Sequence, residues 1–202
     1  MVTFHVPTRS HAADRLVFRV PSRAVLFAGS RHGMVPPRLA AKLVDHLSDA
    51  GFGFLVGCAP GIDSCFRDAV SRNPDAREAS FIACAFGSRV RQSEALRLTA
   101  SVVVPDGLSA AAALHRRTLW MVKRSVLLIL FPDDPASGRW GKGSRLAFRS
   151  TLFQLKPVFV VTATAPANSP HYRVIPDSFF GIVDGYWAVP HPTEFGTCDE
   201  EW

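Results

Sequence analysis

The chain has 202 residues, which suits one domain with a substantial core and is too short for two domains of ordinary size. Apolar residues make up 48% of it, so it can bury a real interior, and its net charge of +6 favours anionic partners. No stretch approaches the ~18 uncharged apolar residues of a membrane span. Residues 1–23 lack the apolar run of a signal peptide. These features predict a cytoplasmic protein with no membrane partner.

The cysteines and histidines do not have the spacing of a metal site. Cys58, Cys65, Cys84 and Cys198 form no Cys-x-x-Cys pair, and the seven histidines show no ligand spacing with one another. We therefore expect thiols in a reducing compartment, no metal and no identified cofactor other than a nucleotide ligand.

Short apolar runs alternate with longer amphipathic stretches along the chain. The first run, Ala24–Ala28, is predicted to be a buried strand. Pro36–Ala50 is predicted to be a helix, because its prolines suit a first turn and Gly51 suits the end. The same reading places the later elements, in chain order, at Phe52–Val56 (strand), Ile62–Ser71 (helix), Ser80–Ala85 (strand), Ser88–Thr99 (helix), Ser101–Val104 (strand), Ser109–Lys123 (helix), Ser125–Phe131 (strand), Ser144–Leu155 (helix) and Pro157–Thr162 (strand).

Strands that are apolar throughout and separated by helices indicate a parallel sheet covered on both faces. We predict an α/β fold with a doubly wound, mostly parallel, Rossmann-like open sheet and helices on both faces. The pattern leaves the strand order open. The expected organisation is an N-terminal extension (1–23), the Rossmann-like domain (24–162) and an irregular C-terminal segment (163–202) with one or two edge strands in Phe179–Val189 and a loosely held tail from His191.

The turn after the first predicted strand contains Gly29, Ser30 and Arg31. Ligands of open parallel sheets bind beyond the carboxyl ends of the strands, so this turn is a candidate phosphate site. Glycine permits close backbone approach, and a hydroxyl and a guanidinium both suit phosphate. The turn lacks the G-x-G-x-x-G pattern, which argues against an ordinary NAD site. The alternative is a tight turn with a solvated arginine.

The turn after the second predicted strand contains Gly57, Ala59, Gly61 and Asp63. It exposes backbone N–H groups at a helix N-terminus, where the helix dipole favours an anion. Asp63 either caps the helix or hydrogen-bonds a hydroxyl of a ligand, and the two roles are compatible. We expect this turn and the first one to form two walls of a single phosphate-binding crevice.

A third glycine turn precedes the helix after the most apolar strand. Gly141, Lys142, Gly143 and Ser144 suit an anion, although their register differs from that of a Walker A loop. The alternative is a flexible basic loop. Arg117, or its neighbour Arg116, either reaches over the crevice or belongs to an exposed basic helix face. Asp133 and Asp134 either approach the site or form a turn, and we favour the turn.

Together, Gly29-Ser30-Arg31 and the Gly-x-Ala-x-Gly-Ile-Asp sequence of Gly57–Asp63 resemble the SLOG superfamily. The similarity is closest to the Rossmann-like domain of the DNA-processing protein A (Smf) group and covers Ala24 to Thr162. That group has an Arg-Asn pair near Arg117-Thr118, so the match there is incomplete. The resemblance implies a Rossmann-like fold and a homodimer, for which the sequence locates no interface.

Three functions remain open at this stage. The first is binding or sensing of a nucleotide or nucleotide-derived small molecule in the glycine-turn crevice. The second is binding of single-stranded nucleic acid, as the resemblance to DNA-processing protein A implies. The third is cleavage of a nucleotide in the manner of the superfamily's phosphoribohydrolases, whose Pro-Gly-Gly-x-Gly-Thr-x-x-Glu motif is missing here. The sequence assigns no catalytic residue, so whether the protein is an enzyme stays open.

Overall fold

The computed structural model describes residues 20–134 and 140–191. In these residues the chain alternates between strands and helices, as predicted for the α/β class. The strands are β1 (Ala24–Gly29), β2 (Gly53–Gly57), β3 (Ser80–Cys84), β4 (Ala100–Val102), β5 (Ser125–Phe131), β6 (Val158–Val160), β7 (Tyr172–Phe179) and β8 (Val183–Pro190). The helices are α1 (Pro37–Asp49), α2 (Ile62–Arg72), α3 (Pro74–Glu78), α4 (Gly87–Glu94), α5 (Ala110–Arg124) and α6 (Lys142–Phe153).

The described strands form one mostly parallel sheet in the order β4-β3-β2-β1-β5-β6-β8-β7. The chain first builds outward from β1 to β4 and then returns, through α5, to place β5 on the other side of β1. The strand order therefore reverses between β1 and β5. Open α/β sheets bind ligands at such a switch point, beyond the carboxyl ends of the strands. The prediction of a doubly wound open sheet is confirmed.

Two apolar cores cover the two faces of the sheet. On one face α1 and α2 pack against alternate residues of the central strands, and the ring of Phe66 stacks on that of Phe27 with centroids 3.7 Å apart. On the other face α5 and α6 bury Met121, Val122 and Leu152 against the sheet. We refer to these as the α1/α2 face and the α5/α6 face. Because every central strand is buried on both faces, its sequence is apolar throughout.

The elements depart from the sequence prediction in a few places. The expected edge strands are a hairpin, in which β8 pairs antiparallel with both β6 and β7. Its first strand begins at Tyr172, earlier than expected, because residues 172–178 are not buried and mix polar with apolar side chains, so they lack the pattern of a core strand. The short helix α3 was not anticipated. On α5, Ala112 and Leu119 are only half-buried, since the helix turns Arg117 and Thr118 towards the sheet.

Candidate functional site

Two of the three glycine turns meet at the switch point and are hydrogen-bonded to each other. The backbone N–H of Ser30 donates to the carbonyl of Phe131 at the end of β5 (3.1 Å), and the N–H of Ile62 donates to the carbonyl of Ser30 (3.0 Å). Ser30 therefore links the carboxyl end of β5 to the start of α2. Its own hydroxyl accepts from the N–H groups of His32 and Gly33, each at 3.0 Å, and so shapes the first turn.

Close packing explains why the two turns have glycine at positions 29 and 61. A side chain at Gly29 would collide with the carbonyl of Phe131, and one at Gly61 would collide with the backbone of Ser30 and Arg31. Gly61 also has φ of +74°, a conformation that L side chains rarely adopt. The backbones of the two turns thus lie in direct contact. Arg31 is exposed beside this contact.

Asp63 and Arg117 are brought together beneath the second turn. Arg117 Nη1 lies 3.4 Å from Asp63 Oδ2, and both side chains are more than nine-tenths buried. Asp63 Oδ2 also accepts the N–H of Ala59 at 3.1 Å. Asp63 projects from α2 on one face of the sheet and Arg117 from α5 on the other. They meet where Gly57 has no side chain, since a Cβ there would collide with both of them.

Two further residues complete a buried charged cluster, which we define as Cys58, Asp63, Arg67 and Arg117. Arg67 Nη1 donates to the carbonyls of Gly57 (2.8 Å) and Ala59 (3.0 Å) and so holds the second turn from below. Arg117 Nη1 lies 3.5 Å from Cys58 Sγ. Sequence reasoning missed Arg67. The available signal was its position one turn after Asp63 on an otherwise apolar helix face.

The electrostatics of this cluster favour a thiolate at Cys58. A hydrogen bond from the Cys84 thiol lowers the pKa of Cys58, burial opposes this, and the Arg117 cation lowers it further, from an ordinary 9.0 to about 5. The pKa of Cys84 is raised in turn, by that hydrogen bond and by burial. Burial lowers the pKa of Arg117, but Asp63 and Cys58 outweigh it and the net shift is upward. Arg117 therefore neutralises buried negative charge on both sides.

The third turn begins α6, with Gly141 as its N-cap. A Cβ on Gly141 would collide with the carboxylate of Asp133, which follows β5 by two residues and is exposed. Lys142 and Gly143 are exposed, Gly143 has open space around it, and Ser144 is buried. The third turn is thus next to the end of β5, with one carboxylate beside it. Gly138 and Arg139 of this loop lie outside the described residues.

Described residues provide no metal site and no membrane span. No group of three or more His, Cys, Asp or Glu side chains among them is arranged to hold a metal ion. No helix in the described part of the chain is long and apolar enough to cross a bilayer. Cys198 and the acidic tail expected after His191 lie outside the described residues.

The fold and the meeting of glycine turns at the switch point define a Rossmann-like α/β domain. Two solved structures of DNA processing protein A share this fold. The Helicobacter pylori protein, for which a single-stranded DNA binding mode is described, matches with a TM-score of 0.53 at 16% identity, over 74% of this chain and 68% of that one. The Streptococcus pneumoniae protein matches with a TM-score of 0.55 at 14% identity, over 70% of this chain.

The chain spans about half (51%) of the Streptococcus protein. No protein-family model matches it, and no curated protein matches it either. The resemblance to DNA-processing protein A is therefore confirmed at the level of the fold.

Proposed function

We propose that the chain binds the phosphate of a nucleotide or nucleotide derivative in the crevice at the carboxyl ends of β1, β2 and β5. The observation that carries the proposal is the pair of hydrogen bonds by which Ser30 joins the end of β5 to the start of α2 at the switch point. Parallel sheets bind ligands at that position, and α2 begins there, so the positive end of its dipole favours an anion.

The proposed roles follow from exposure and partners. Arg31 is exposed next to the two joined turns, where its guanidinium can form paired hydrogen bonds to phosphate. Lys142 and Gly143 are exposed at the start of α6 and supply a second cation and open backbone. Gly29, Gly57, Ala59 and Gly61 supply the turns. Asp63 and Arg117 act from below the second turn, as its support.

A second candidate function is binding of single-stranded DNA in the same crevice. It is favoured by the net charge of +6 and by the fold shared with a protein described as binding single-stranded DNA. Both candidates use the same phosphate chemistry, and they differ in whether the nucleotide unit is free or part of a strand.

Calorimetry with the full chain tests the first candidate, using nucleoside mono-, di- and triphosphates as probes. We expect heat with at least one probe, and a loss of affinity of about 10- to 100-fold in Arg31→Ala, the factor that corresponds to a charged hydrogen bond of about 1.5–3 kcal/mol. Arg72→Ala is the matched control, because Arg72 is exposed in the last turn of α2, at the end of that helix away from the second glycine turn. No heat with any probe, or equal affinity in the two variants, contradicts the proposal.

Competition separates the two candidates. If the crevice prefers single-stranded DNA, a short oligothymidine is expected to displace a bound mononucleotide from the wild-type protein and to do so poorly from Arg31→Ala. If it takes free nucleotides, the oligonucleotide leaves the mononucleotide bound.

A further inference from the structure

Two cysteines lie side by side at the carboxyl ends of neighbouring strands. Gly57 pairs with Ala83 in the parallel ladder of β2 and β3, so the next residues along the chain, Cys58 and Cys84, stand opposite each other. Both side chains belong to the apolar core on the α1/α2 face. The thiol of Cys84 donates a hydrogen bond to the sulfur of Cys58. The two sulfur atoms are therefore neighbours on one face of the sheet.

This placement suits a disulfide bond. Neighbouring strands of a sheet lie about 4.8 Å apart, and disulfides join residues whose Cα atoms are about 4.4–6.8 Å apart. Side chains at paired positions of a parallel ladder also point to the same face. A bond between the sulfur atoms of Cys58 and Cys84 therefore requires rotation of the side chains and little movement of either strand.

The two sulfur atoms differ in reactivity. The hydrogen bond from Cys84 and the Arg117 cation, with Nη1 3.5 Å from Sγ, lower the pKa of Cys58 to about 5, against the opposing effect of burial. At neutral pH Cys58 is then a thiolate, the form that reacts with oxidants. The same hydrogen bond and burial raise the pKa of Cys84, which stays a thiol. The pair thus consists of one attacking and one resolving sulfur.

Burial restricts the size of the oxidant. Cys58 is 2% exposed and Cys84 is 0% exposed. Cys58 lies in the second turn, two residues before the exposed Pro60, so local opening of that turn gives a small molecule access to its sulfur. Hydrogen peroxide suits this position better than a bulky disulfide reagent.

We propose that Cys58 and Cys84 form an oxidation site, at which hydrogen peroxide produces a reversible disulfide. The Cys58 thiolate attacks one peroxide oxygen, an S–O bond forms, the O–O bond breaks, and hydroxide leaves a sulfenic acid behind. The Cys84 sulfur then attacks the Cys58 sulfur. The S–S bond forms, the S–O bond breaks, and the departing hydroxide takes the Cys84 proton to become water. The two sulfurs together lose two electrons, and the peroxide gains them.

Oxidation changes the charge beneath the second turn. The disulfide removes the negative charge of Cys58, so the buried charged cluster retains two arginine cations and the single carboxylate of Asp63. It also joins the second turn to the end of β3. The redox state of the pair therefore sets the charge below the glycine-turn crevice. The reaction needs no nucleotide, so this inference goes beyond the function proposed above.

Peptide mapping of the full wild-type chain tests the proposal. The chain is treated with hydrogen peroxide, its free thiols are alkylated under denaturing conditions, and it is digested without reductant. Trypsin together with a protease that cuts before aspartate places Cys58 in residues 49–62, apart from Cys65, and Cys84 in residues 78–89. We expect these two peptides to be linked, with a mass two hydrogens below their sum. Dithiothreitol is expected to separate them.

Single variants test the order of the steps. Cys84→Ser keeps a hydroxyl that can donate to Cys58, so its oxidation is expected to stop at a sulfenic acid that dimedone traps. In Cys58→Ser, Cys84 is expected to be oxidised at least about tenfold more slowly than Cys58 is in wild type, because it is a buried thiol. Cys65→Ser is the matched control and is expected to form the same linked peptide. Cys65 is more exposed than Cys58, so the control also separates reactivity from exposure.

The proposal is overturned if treated wild type yields no linked peptide, or if Cys58 is linked to Cys65 or Cys198. A link between two chains, visible as a dimer on a nonreducing gel, also overturns it, as does oxidation of Cys65 while Cys58 and Cys84 stay reduced. The wild-type map does not depend on the folding of any variant. Nucleotide calorimetry on the reduced chain is independent of this result, so failure of one proposal leaves the other to its own test.

Discussion

Asp63 and Arg117 come from helices on opposite faces of the sheet and meet 3.4 Å apart over the end of β2. Gly57 makes this contact possible, because it has no side chain and a Cβ there would collide with both residues. The ion pair therefore connects the α1/α2 face to the α5/α6 face directly beneath the second turn.

Gly57→Ala is expected to lower the free energy of unfolding by about 1–3 kcal/mol, because the new methyl group overlaps the Asp63 carboxylate and the Arg117 guanidinium. Urea denaturation measures the effect. Gly87→Ala is the control, since a Cβ there meets nothing within 4 Å. Equal unfolding midpoints for the two variants would contradict the described packing.

Removal of one member of the Asp63–Arg117 pair is expected to destabilise the folded protein strongly. Asp63→Asn leaves the Arg117 cation without its carboxylate, and Arg117→Met leaves the Asp63 carboxylate buried and unpaired. Each change is expected to lower the free energy of unfolding by about 3–5 kcal/mol. The double variant is expected to lose less than the sum, because neither charge is then left unpaired. Additive losses in a double-mutant cycle would show that the two residues act independently.

Gly61→Ala is expected to destabilise the protein more than Gly51→Ala. Both glycines have positive φ, +74° and +75°, so both substitutions incur the left-handed penalty of about 1–2 kcal/mol. Only at Gly61 would the added Cβ also strike the backbone of Ser30 and Arg31. Thermal unfolding compares the two variants. A Gly61→Ala protein as stable as Gly51→Ala would mean that the first two turns do not touch.

Cys58 is expected to make stability depend on pH. Its pKa is lowered from 9.0 to about 5 in the fold, so the native thiolate binds fewer protons than the unfolded thiol. The lowered pKa adds to the free energy of unfolding. This stabilisation is complete above pH 9.0, shrinks as the pH falls, and is lost below about pH 5. The raised pKa of Cys84 leaves that thiol protonated in both states at lower pH, so it does not alter the trend between about pH 5 and 8.

The measurement compares urea unfolding of wild type and Cys58→Ser from about pH 5 to 8. The stability of wild type relative to the variant is expected to rise with pH over this window. Cys65→Ser is the control and is expected to track wild type, because Cys65 lies outside the charged cluster. A difference in the free energy of unfolding between wild type and Cys58→Ser that does not change with pH would mean that Cys58 is a protonated thiol in the native protein.

The crevice was only partly predictable from residue order. Gly29 and Gly61 were identified because each follows a strand or begins a helix, and such positions line the carboxyl end of any parallel sheet. Asp63 was placed in the crevice as a cap or a ligand for a hydroxyl. Its burial against Arg117, a residue 54 positions away, depends on a contact between two helices that share no local pattern. Its predicted role in binding, and those of the other crevice residues, remain to be tested as described.

The class of fold follows from the pattern of residues alone, because uninterrupted apolar strands separated by amphipathic helices are typical of a parallel sheet covered on both faces. It also determined the places of the glycine turns, which are local features of the backbone. The strand order, and with it the switch point at which Ser30 joins β5 to α2, became known from the three-dimensional structure. The structure was also needed to show that Arg117 lies buried while its neighbour Arg116 is exposed. The reason is that burial of a long side chain depends on its partners across space, and no periodicity along the chain encodes them.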